Sequence, residues 1–436
     1  MHIETRGAEV HAKRSIMFLR PVAAAVLSLG VLASGHAVAG EDDTPLSLTL
    51  AQYLSRDNNL FKDDQNKAAE TVSTSVAQVG FNKAYGRQTY RAAAKLSAQR
   101  YKNFDQFNND GKDVSGSFTT EFLRDWLISA NGLYNESLNS IQNNAVRFDP
   151  NIRKYRDGGF SVQYGNGGTW AVAGSYDSNK QTYSQDSQKY QNANQSSKGL
   201  KVIYFASDAL NYSLGTRRVV TDYPLNGSYS QVVDRNVDLS TNWQVTGLSS
   251  LNATLTRRST SYTPSDIAGN SGWTGSASWG YTPHGIISYN VGFARTTGTD
   301  RSRSDKPIYL QGEDGQKTFD ILSNRVNNNT VTTSINAAAR MQVTGKIAFG
   351  LNQAISHFKI DRTQSQILLL GSDTPSPDRA SQFSSYYHAT TLSMEYAAMR
   401  SLSLSCSYMR YSQNQDIYRL KYTGNSVDCN ANFTID

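Results

Sequence analysis

The decisive stretch covers residues 331–351 and reads VTTSINAAARMQV, then TGK, then IAFGL. Before the turn, apolar and small polar side chains alternate, with Val331, Ile335 and Met341 on one face and Arg340 on the other. After Thr344-Gly345-Lys346 the alternation resumes as Ile347, Phe349 and Leu351. The pattern predicts an antiparallel hairpin that is apolar on one side only. Such a hairpin fits either a soluble β-sandwich, which buries that face in a core, or a transmembrane barrel, which turns it toward lipid.

The start of the chain predicts export. Basic residues precede an apolar run at 22–32, and Ala37-Val38-Ala39 forms an A-x-A cleavage site. We therefore expect residues 1–39 to be a signal peptide and 40–436 to be one barrel domain. The apolar run is about half the roughly 20 residues that a spanning helix needs.

The composition excludes several classes of protein. The formal net charge is +7, but the basic residues are dispersed, which argues against nucleic-acid binding. With only two Cys among 436 residues, disulfides do not build the scaffold. The 25 Tyr and nine Pro suit polar-lumen strands with aromatic belts, although a secreted β-sandwich could share this composition.

Short turns and long polar connections alternate along the whole chain. Outer-membrane barrels show this rhythm because short turns face the periplasm and long loops face the outside, whereas sandwiches mix hairpins with sheet-crossing connections. Eight short turns and nine long loops predict an all-β, transmembrane, antiparallel up-and-down β-barrel of about 18 strands, with 16 as the alternative. The long connections are expected at 58–70, 103–112, 135–153, 177–197, 221–234, 259–272, 297–329, 361–384 and 412–425.

Aromatic residues are placed as a membrane protein requires. Trp126, Trp170 and Trp243 each adjoin a short turn, where the periplasmic aromatic girdle is expected. In a soluble protein the same residues would cap a sandwich core. The final segment, 427–435, puts apolar residues on one face, as a closing strand should.

The polar faces of the strands predict a charged lumen wall. Charged side chains are tolerated there because the lumen is wet, whereas Arg or Lys at the bilayer midplane costs about 2–4 kcal/mol. An excess of bases over acids predicts mild anion preference, and the alternative is that each base pairs with a neighbouring acid. The predicted pore-lining residues are Arg91, Lys95, Glu121, Lys201, Arg217, Asp238, Arg258, Arg340 and Glu395.

Catalytic and metal-binding signatures are missing from the sequence. His284, His357 and His388 follow the leader region without metal-ligand spacing, and no GxSxG, Walker-type or HExxH pattern occurs. We expect no enzyme activity, cofactor or metal, although a triad assembled only in space would escape motif detection. Cys406 and Cys429 fall opposite each other on the last two predicted strands, which allows either a disulfide or two small apolar residues facing lipid.

Two short stretches resemble a known family. Residues 56–61 read RDNNLF and resemble the D-[DN]-N-L-F element near the mature start of EpsL-like β-barrel porins of exopolysaccharide biosynthesis operons. Residues 82–88, NKAYGRQ, resemble the first-hairpin turn of that family. The resemblance implies a bacterial outer-membrane protein of polysaccharide biosynthesis and biofilm formation.

The resemblance implies a passive conduit for a newly synthesised exopolysaccharide. An 18-stranded barrel is wide enough for an aqueous lumen, and hydroxyl and amide side chains suit weak, repeated contacts with a hydrated glycan. The expected partners are the polysaccharide chain, outer-membrane lipid, the barrel assembly machinery and a periplasm-spanning chain-length or export partner. A general or nutrient-uptake porin is one alternative, and an outer-membrane enzyme or adhesive surface barrel is another.

Overall fold

We analysed a computed structural model of the chain. It describes residues 45–139, 141, 150–165, 167–226, 229–263, 269–311, 317–368, 379–415 and 421–435. The predicted signal peptide, residues 1–39, lies outside the described residues and stays a prediction. No helix in the described part of the chain is long and apolar enough to cross a membrane.

The described chain is almost entirely β-strand. The first nine strands are β1 (Leu46–Asp57), β2 (Glu70–Tyr85), β3 (Gln88–Tyr101), β4 (Asn109–Phe122), β5 (Trp126–Leu138), β6 (Ile152–Tyr164), β7 (Trp170–Tyr183), β8 (Ala193–Ser207) and β9 (Leu210–Asp222). The remaining nine are β10 (Gln231–Thr246), β11 (Ser249–Thr263), β12 (Asn270–Tyr281), β13 (Ile287–Gln311), β14 (Lys317–Gln342), β15 (Ile347–Leu368), β16 (Arg379–Ala397), β17 (Leu402–Gln415) and β18 (Tyr422–Ile435). Short 3₁₀ helices occur at Asp105–Phe107 and Asp186–Gln191.

The sheet is closed. Each strand pairs antiparallel with its sequence neighbours, and β1 also pairs with β18, from Leu48 opposite Ile435 to Asp57 opposite Ser426. Closure leaves no unpaired sheet edge, which a membrane-spanning sheet requires because lipid offers no hydrogen-bond partners. The predicted 18-stranded antiparallel barrel is confirmed.

The decisive stretch forms the hairpin β14–β15. Ile335 lies opposite Ile355 and Met341 opposite Phe349, on either side of the connection at 343–346. Their face points away from the barrel axis, and Ile335, Phe349 and Ile355 are exposed there. The apolar face therefore covers no core.

The short connections lie at one end of the barrel, at 86–87, 123–125, 165–169, 208–209, 247–248, 282–286, 343–346 and 398–401. Gly86 has φ +55° and Gly165 φ +93°, conformations that L side chains rarely adopt. At Gly165 a Cβ would also meet the Trp170 carbonyl oxygen. Glycine thus allows these tight reversals.

The long connections are shorter than the sequence predicted. The predicted loop 297–329 is wrong: β13 and β14 pair continuously from Ile287 opposite Met341 to Gln311 opposite Lys317. The predicted loop 361–384 is likewise shortened, since β15 and β16 pair as far as Gln364 opposite Arg379. Apolar alternation marks only the part of a strand that faces lipid, whereas backbone pairing continues beyond it through polar side chains. Strands β13–β16 therefore extend the wall well past the membrane.

Candidate functional site: the lumen wall and its extracellular mouth

Strand alternation separates two surfaces. Large apolar side chains lie on the outer face, where Leu200 is 64% exposed and Leu214 59% exposed. Ser, Thr, Asn and charged side chains occupy the alternate positions that point inward. All nine predicted pore-lining residues occupy inner-face positions, because each alternates with outer-face apolar residues of its strand.

Several inner-face charges are paired. The Arg340 guanidinium lies 2.6 Å from Glu395, and the Arg217 guanidinium lies 3.4 Å from Asp238. Asp238 also accepts a hydrogen bond from the Thr256 hydroxyl at 2.6 Å. These contacts match the alternative in which bases and acids neutralise one another across neighbouring strands.

Arg258 has a stronger partner that the sequence reasoning missed. It donates from Nε and Nη2 to the two Asp234 carboxylate oxygens, at 2.9 and 2.8 Å. The Thr260 hydroxyl also donates to Asp234, which is buried. A bidentate pair of this kind is fixed in geometry and contributes little net charge to the lumen.

The other predicted pore-lining charges do not belong to these ion pairs. In the part of the chain that the structure describes, Arg91, Lys95, Lys201 and Glu121 form no ion pair within 4 Å. The inner face also carries Arg153 and Arg362 and carboxylates that the sequence reasoning did not assign: Asp57, Asp113, Asp157, Asp177, Asp234 and Asp428. Among the side chains that the structure describes, the expected excess of bases therefore disappears, and with it the argument for anion preference.

Hydroxyl groups form cross-strand pairs along the same wall. The Ser129 and Ser161 hydroxyls lie 2.7 Å apart on β5 and β6. Similar pairs join Ser334 to Ser356 at 2.9 Å, Thr49 to Thr434 at 3.2 Å and Thr254 to Ser240 at 3.2 Å. Because a hydroxyl both donates and accepts, these positions can exchange hydrogen bonds with a passing polar solute.

The extracellular end of the β1–β18 seam holds a buried polar cluster, which we call the latch: Asp57, Asn59, Lys62 and Tyr411. The Tyr411 hydroxyl donates to Asp57 at 2.5 Å, and the Lys62 ammonium lies 2.5 Å from the other Asp57 oxygen and 3.6 Å from the Tyr411 ring centroid. Asn59, fully buried, donates to the Asp63 and Thr423 carbonyls at 2.7 and 3.0 Å. Burial lowers the pKa of Lys62, and its hydrogen bond to Asp57 opposes that shift.

The latch gives the first family-like motif a structural role. Residues 57–61 lead from β1 into the connection at 58–69, and Asp57 and Asn59 tie this connection to β17 and β18. At Gly424 a Cβ would overlap the Tyr411 ring, so glycine admits the close approach. The connection is thereby held over the seam where the barrel closes.

Glu70 organises the neighbouring part of the mouth. Only 1% exposed, it accepts hydrogen bonds from four backbone N–H groups: Thr71 at 2.6 Å, Lys102 at 3.0 Å, Asn103 at 3.0 Å and Phe104 at 3.0 Å. The carboxylate thus satisfies the Asn103 and Phe104 donors in the turn, and it shares the Lys102 donor with the Thr71 carbonyl oxygen, which lies 3.1 Å from that nitrogen. Sequence reasoning counted Glu70 as the end of a polar loop, because three of its four donors are more than 30 residues away.

An aromatic cluster packs against this turn. Phe107, fully buried, follows it in the 3₁₀ helix, and Phe104 contacts Phe61 at a ring-centroid distance of 4.9 Å. Phe61 lies 6.4 Å from Phe107, and Tyr101 lies 5.8 Å from Phe107. The first two long connections therefore pack together as one unit at the mouth.

The three predicted girdle tryptophans lie on the outer face near the short-turn end. The ring centroids of Trp126 and Tyr164 lie 4.9 Å apart, and those of Trp170 and Tyr204 lie 4.5 Å apart, with the rings tilted in both pairs. Trp243 is 43% exposed near the end of β10. Their position suits the membrane interface, where aromatic rings are favoured.

Cys406 and Cys429 form a disulfide in the structure, with their Cα atoms 4.1 Å apart. They lie directly opposite each other in the β17–β18 pairing and on the outer face, in line with Leu404 and Val427. His357, also on that face, stacks on Tyr386 at 4.5 Å. Among the described residues, no group of three or more His, Cys, Asp or Glu is placed to hold a metal ion.

No family model and no curated protein matches the sequence. Among solved structures, the chain is similar to OccK2 (OpdF) from Pseudomonas aeruginosa in complex with glucuronate, with TM-score 0.47, 11% identity and coverage of 90% of this chain and 98% of that one. The outer membrane protein opdK from the same organism gives TM-score 0.46, 10% identity and coverages of 89% and 98%. The siderophore receptor PirA, also from that organism, gives 0.40, 11%, 91% and 81%.

The architecture itself identifies the environment. A closed barrel with an apolar outer surface, an aromatic girdle at the short-turn end and polar side chains inside is built to span a membrane by strands. The protein is an outer-membrane β-barrel of a bacterial cell.

Proposed function

We propose that the protein is a passive outer-membrane conduit for a newly synthesised exopolysaccharide. The observation that carries the proposal is the hydroxyl-lined inner wall, exemplified by the Ser129–Ser161 and Ser334–Ser356 pairs. Sugar hydroxyls can exchange hydrogen bonds with such a wall without being held at one site. An 18-stranded barrel is also of the size that leaves an aqueous lumen.

The pairing of lumen charges supports the same proposal. Bidentate and close pairs such as Arg258–Asp234 and Arg340–Glu395 leave weak net fields, so a long glycan would meet no strong electrostatic trap. The sequence resemblance to EpsL-like porins points in the same direction. We further propose that driving force comes from a periplasm-spanning chain-length or export partner, and that the assembly machinery inserts the barrel.

A general porin for small solutes is the second candidate. The inner-face residues Arg91, Lys95 and Lys201, which form no ion pair within the described part of the chain, favour it, because separate charges select small ions and solutes. The two functions predict different phenotypes. Surface display of the polymer depends on the protein if it is the conduit, and does not depend on it if it is a general porin.

Gene deletion tests the proposal. Surface polysaccharide should vanish, periplasmic polymer should accumulate, and wild-type protein should restore display. Unchanged surface polymer, with the wild-type protein migrating as a heat-modifiable barrel, would overturn the export function and leave the general porin.

A matched pair of variants locates the effect in the lumen. Replacing both Ser129 and Ser161 by Leu puts apolar bulk on the inner wall, whereas Ala130→Leu adds it to the lipid face of the same strand. The double variant should reduce export, and Ala130→Leu should not. Equal export by both would contradict a role for the hydroxyl wall.

A further inference from the structure

The outer face carries basic residues above its apolar band. On strands β3–β8, the outward positions 8–12 residues from the short-turn end hold six bases: Arg100, Lys112, Lys154, Arg156, Lys180 and Lys198. Asp110 and Glu136 are the acids at these positions. All six bases are exposed, and they lie on the same face of their strands as outer-face residues such as Leu96, Phe160 and Leu200.

The height of these bases matches the outer-leaflet headgroups. Lys112 and Lys154 lie ten residues from the short-turn ends of β4 and β6. Ten residues span about 33 Å along a strand, or about 25 Å along the barrel axis at a tilt of about 40°. The apolar band of such barrels is about 25 Å tall, so these ammonium groups emerge at its extracellular edge.

Lys112 on β4 and Lys154 on β6 share a single acid on β5, Glu136. Glu136 lies 3.9 Å from Lys112 and 3.5 Å from Lys154, and it accepts a hydrogen bond from the Tyr134 hydroxyl at 2.6 Å. The Arg156 guanidinium stacks 5.5 Å from the Tyr134 ring centroid. Two ammonium groups share one carboxylate, and Arg156 lies beside the same Tyr134, so the cluster carries a net positive charge that attracts anions.

A groove adjoins the cluster on the same face. It has a volume of about 840 Å³, which is within the range of ligand pockets, and small side chains such as Ala77 and Ala98 make it concave. Leu50 and Leu96 supply apolar wall, and Lys112, Arg100 and Asp110 form its rim, where the Arg100 guanidinium lies 2.8 Å from the Asp110 carboxylate. The two bases and one acid leave the rim with a net positive charge, and an apolar groove beneath such a rim fits a lipid that joins an acyl chain to a phosphate.

We propose that this groove and the Lys112–Lys154–Arg156 cluster bind the phosphorylated glycolipid of the outer leaflet, lipopolysaccharide. Its acyl chains lie along Leu50 and Leu96, and its phosphates contact the bases. Charge complementarity and the match in height select this occupant over a neutral lipid. The surface is separate from the lumen, so lipid binding is independent of what the pore conducts.

The test measures binding of purified, fluorescently labelled lipopolysaccharide to the full-length protein in phosphatidylcholine nanodiscs. The triple variant Lys112→Gln/Lys154→Gln/Arg156→Gln should bind on the order of 100-fold more weakly, since each base near a membrane surface is worth roughly fivefold. Wild-type protein should bind dephosphorylated lipopolysaccharide equally weakly. The control is a triple variant of inner-face bases, Arg91→Gln/Lys95→Gln/Lys201→Gln. It should bind lipopolysaccharide as tightly as the wild-type protein does.

Undiminished binding by the outer triple variant, or an equal loss in the inner-face control, would overturn the proposal. Heat-modifiable migration verifies that each variant is folded. If the triple variant does not fold, Ala98→Trp decides the question, because the indole fills the groove without changing charge. The affinity of the Ala98→Trp variant for lipopolysaccharide should fall at least about tenfold. An affinity equal to that of the wild-type protein would refute the site.

Discussion

Removal of the Glu70 carboxylate should loosen the extracellular mouth without unfolding the barrel. In the Glu70→Ala variant, four backbone N–H groups lose their hydrogen bonds to the buried carboxylate, and of these Lys102 keeps the Thr71 carbonyl oxygen as an acceptor. A hydrogen bond to a charged group contributes about 1.5–3 kcal/mol, and four bonds to one carboxylate are not additive. We expect local opening of residues 102–107 to become easier by about 3–5 kcal/mol.

Hydrogen exchange measures this opening directly. A change of about 3–5 kcal/mol corresponds to roughly 10²–10³-fold faster exchange in the 102–107 segment, at about 1.4 kcal/mol per tenfold. Phe104 and Phe107 should lose protection together with Phe61, because the three rings pack as one unit. Heat-modifiable migration should be unchanged, since the strand pairing of the wall does not involve the carboxylate.

The control is Glu121→Ala, which removes an exposed inner-face carboxylate near the opposite end of β4. It should leave exchange at 102–107 unaltered. Glu70→Gln should give a smaller effect than Glu70→Ala, because one acceptor oxygen remains. Wild-type protection in Glu70→Ala would refute the conclusion that this carboxylate organises the turn.

Three further predictions concern the wall. Leu214→Arg on the lipid face should cost about 2–4 kcal/mol of unfolding free energy in lipid vesicles, whereas inward Ser213→Arg should cost much less; equal costs would contradict the assigned faces. In planar bilayers, Arg340→Gln should shift the reversal potential toward cation selectivity because Glu395 loses its partner, and Glu395→Gln should shift it the opposite way. Maleimide should label the folded protein only after reduction, since both cysteines are bonded; two labelled thiols before reduction would disprove the disulfide.

Alternation in the sequence determined the barrel. The period-2 pattern from Val331 to Leu351, repeated between short turns, was enough to predict 18 antiparallel strands and their lipid-facing sides. This succeeds because lipid demands apolar side chains at every second position, whatever the neighbouring strand contributes. The same reasoning failed at 297–329 and 361–384, where the strands continue beyond the membrane. There no lipid contacts the outer face, so nothing imposes an alternation of apolar and polar side chains.

Only the tertiary structure decided the mouth, the charge balance and the outer groove. Asp57 and Tyr411 lie 354 residues apart in the chain, and Glu70 binds a turn more than 30 residues away. Asp234 was overlooked as the partner of Arg258 because the pair depends on register across β10 and β11. A sequence states which side chains face inward, but barrel closure and strand register decide which of them meet, because those contacts join residues on different strands.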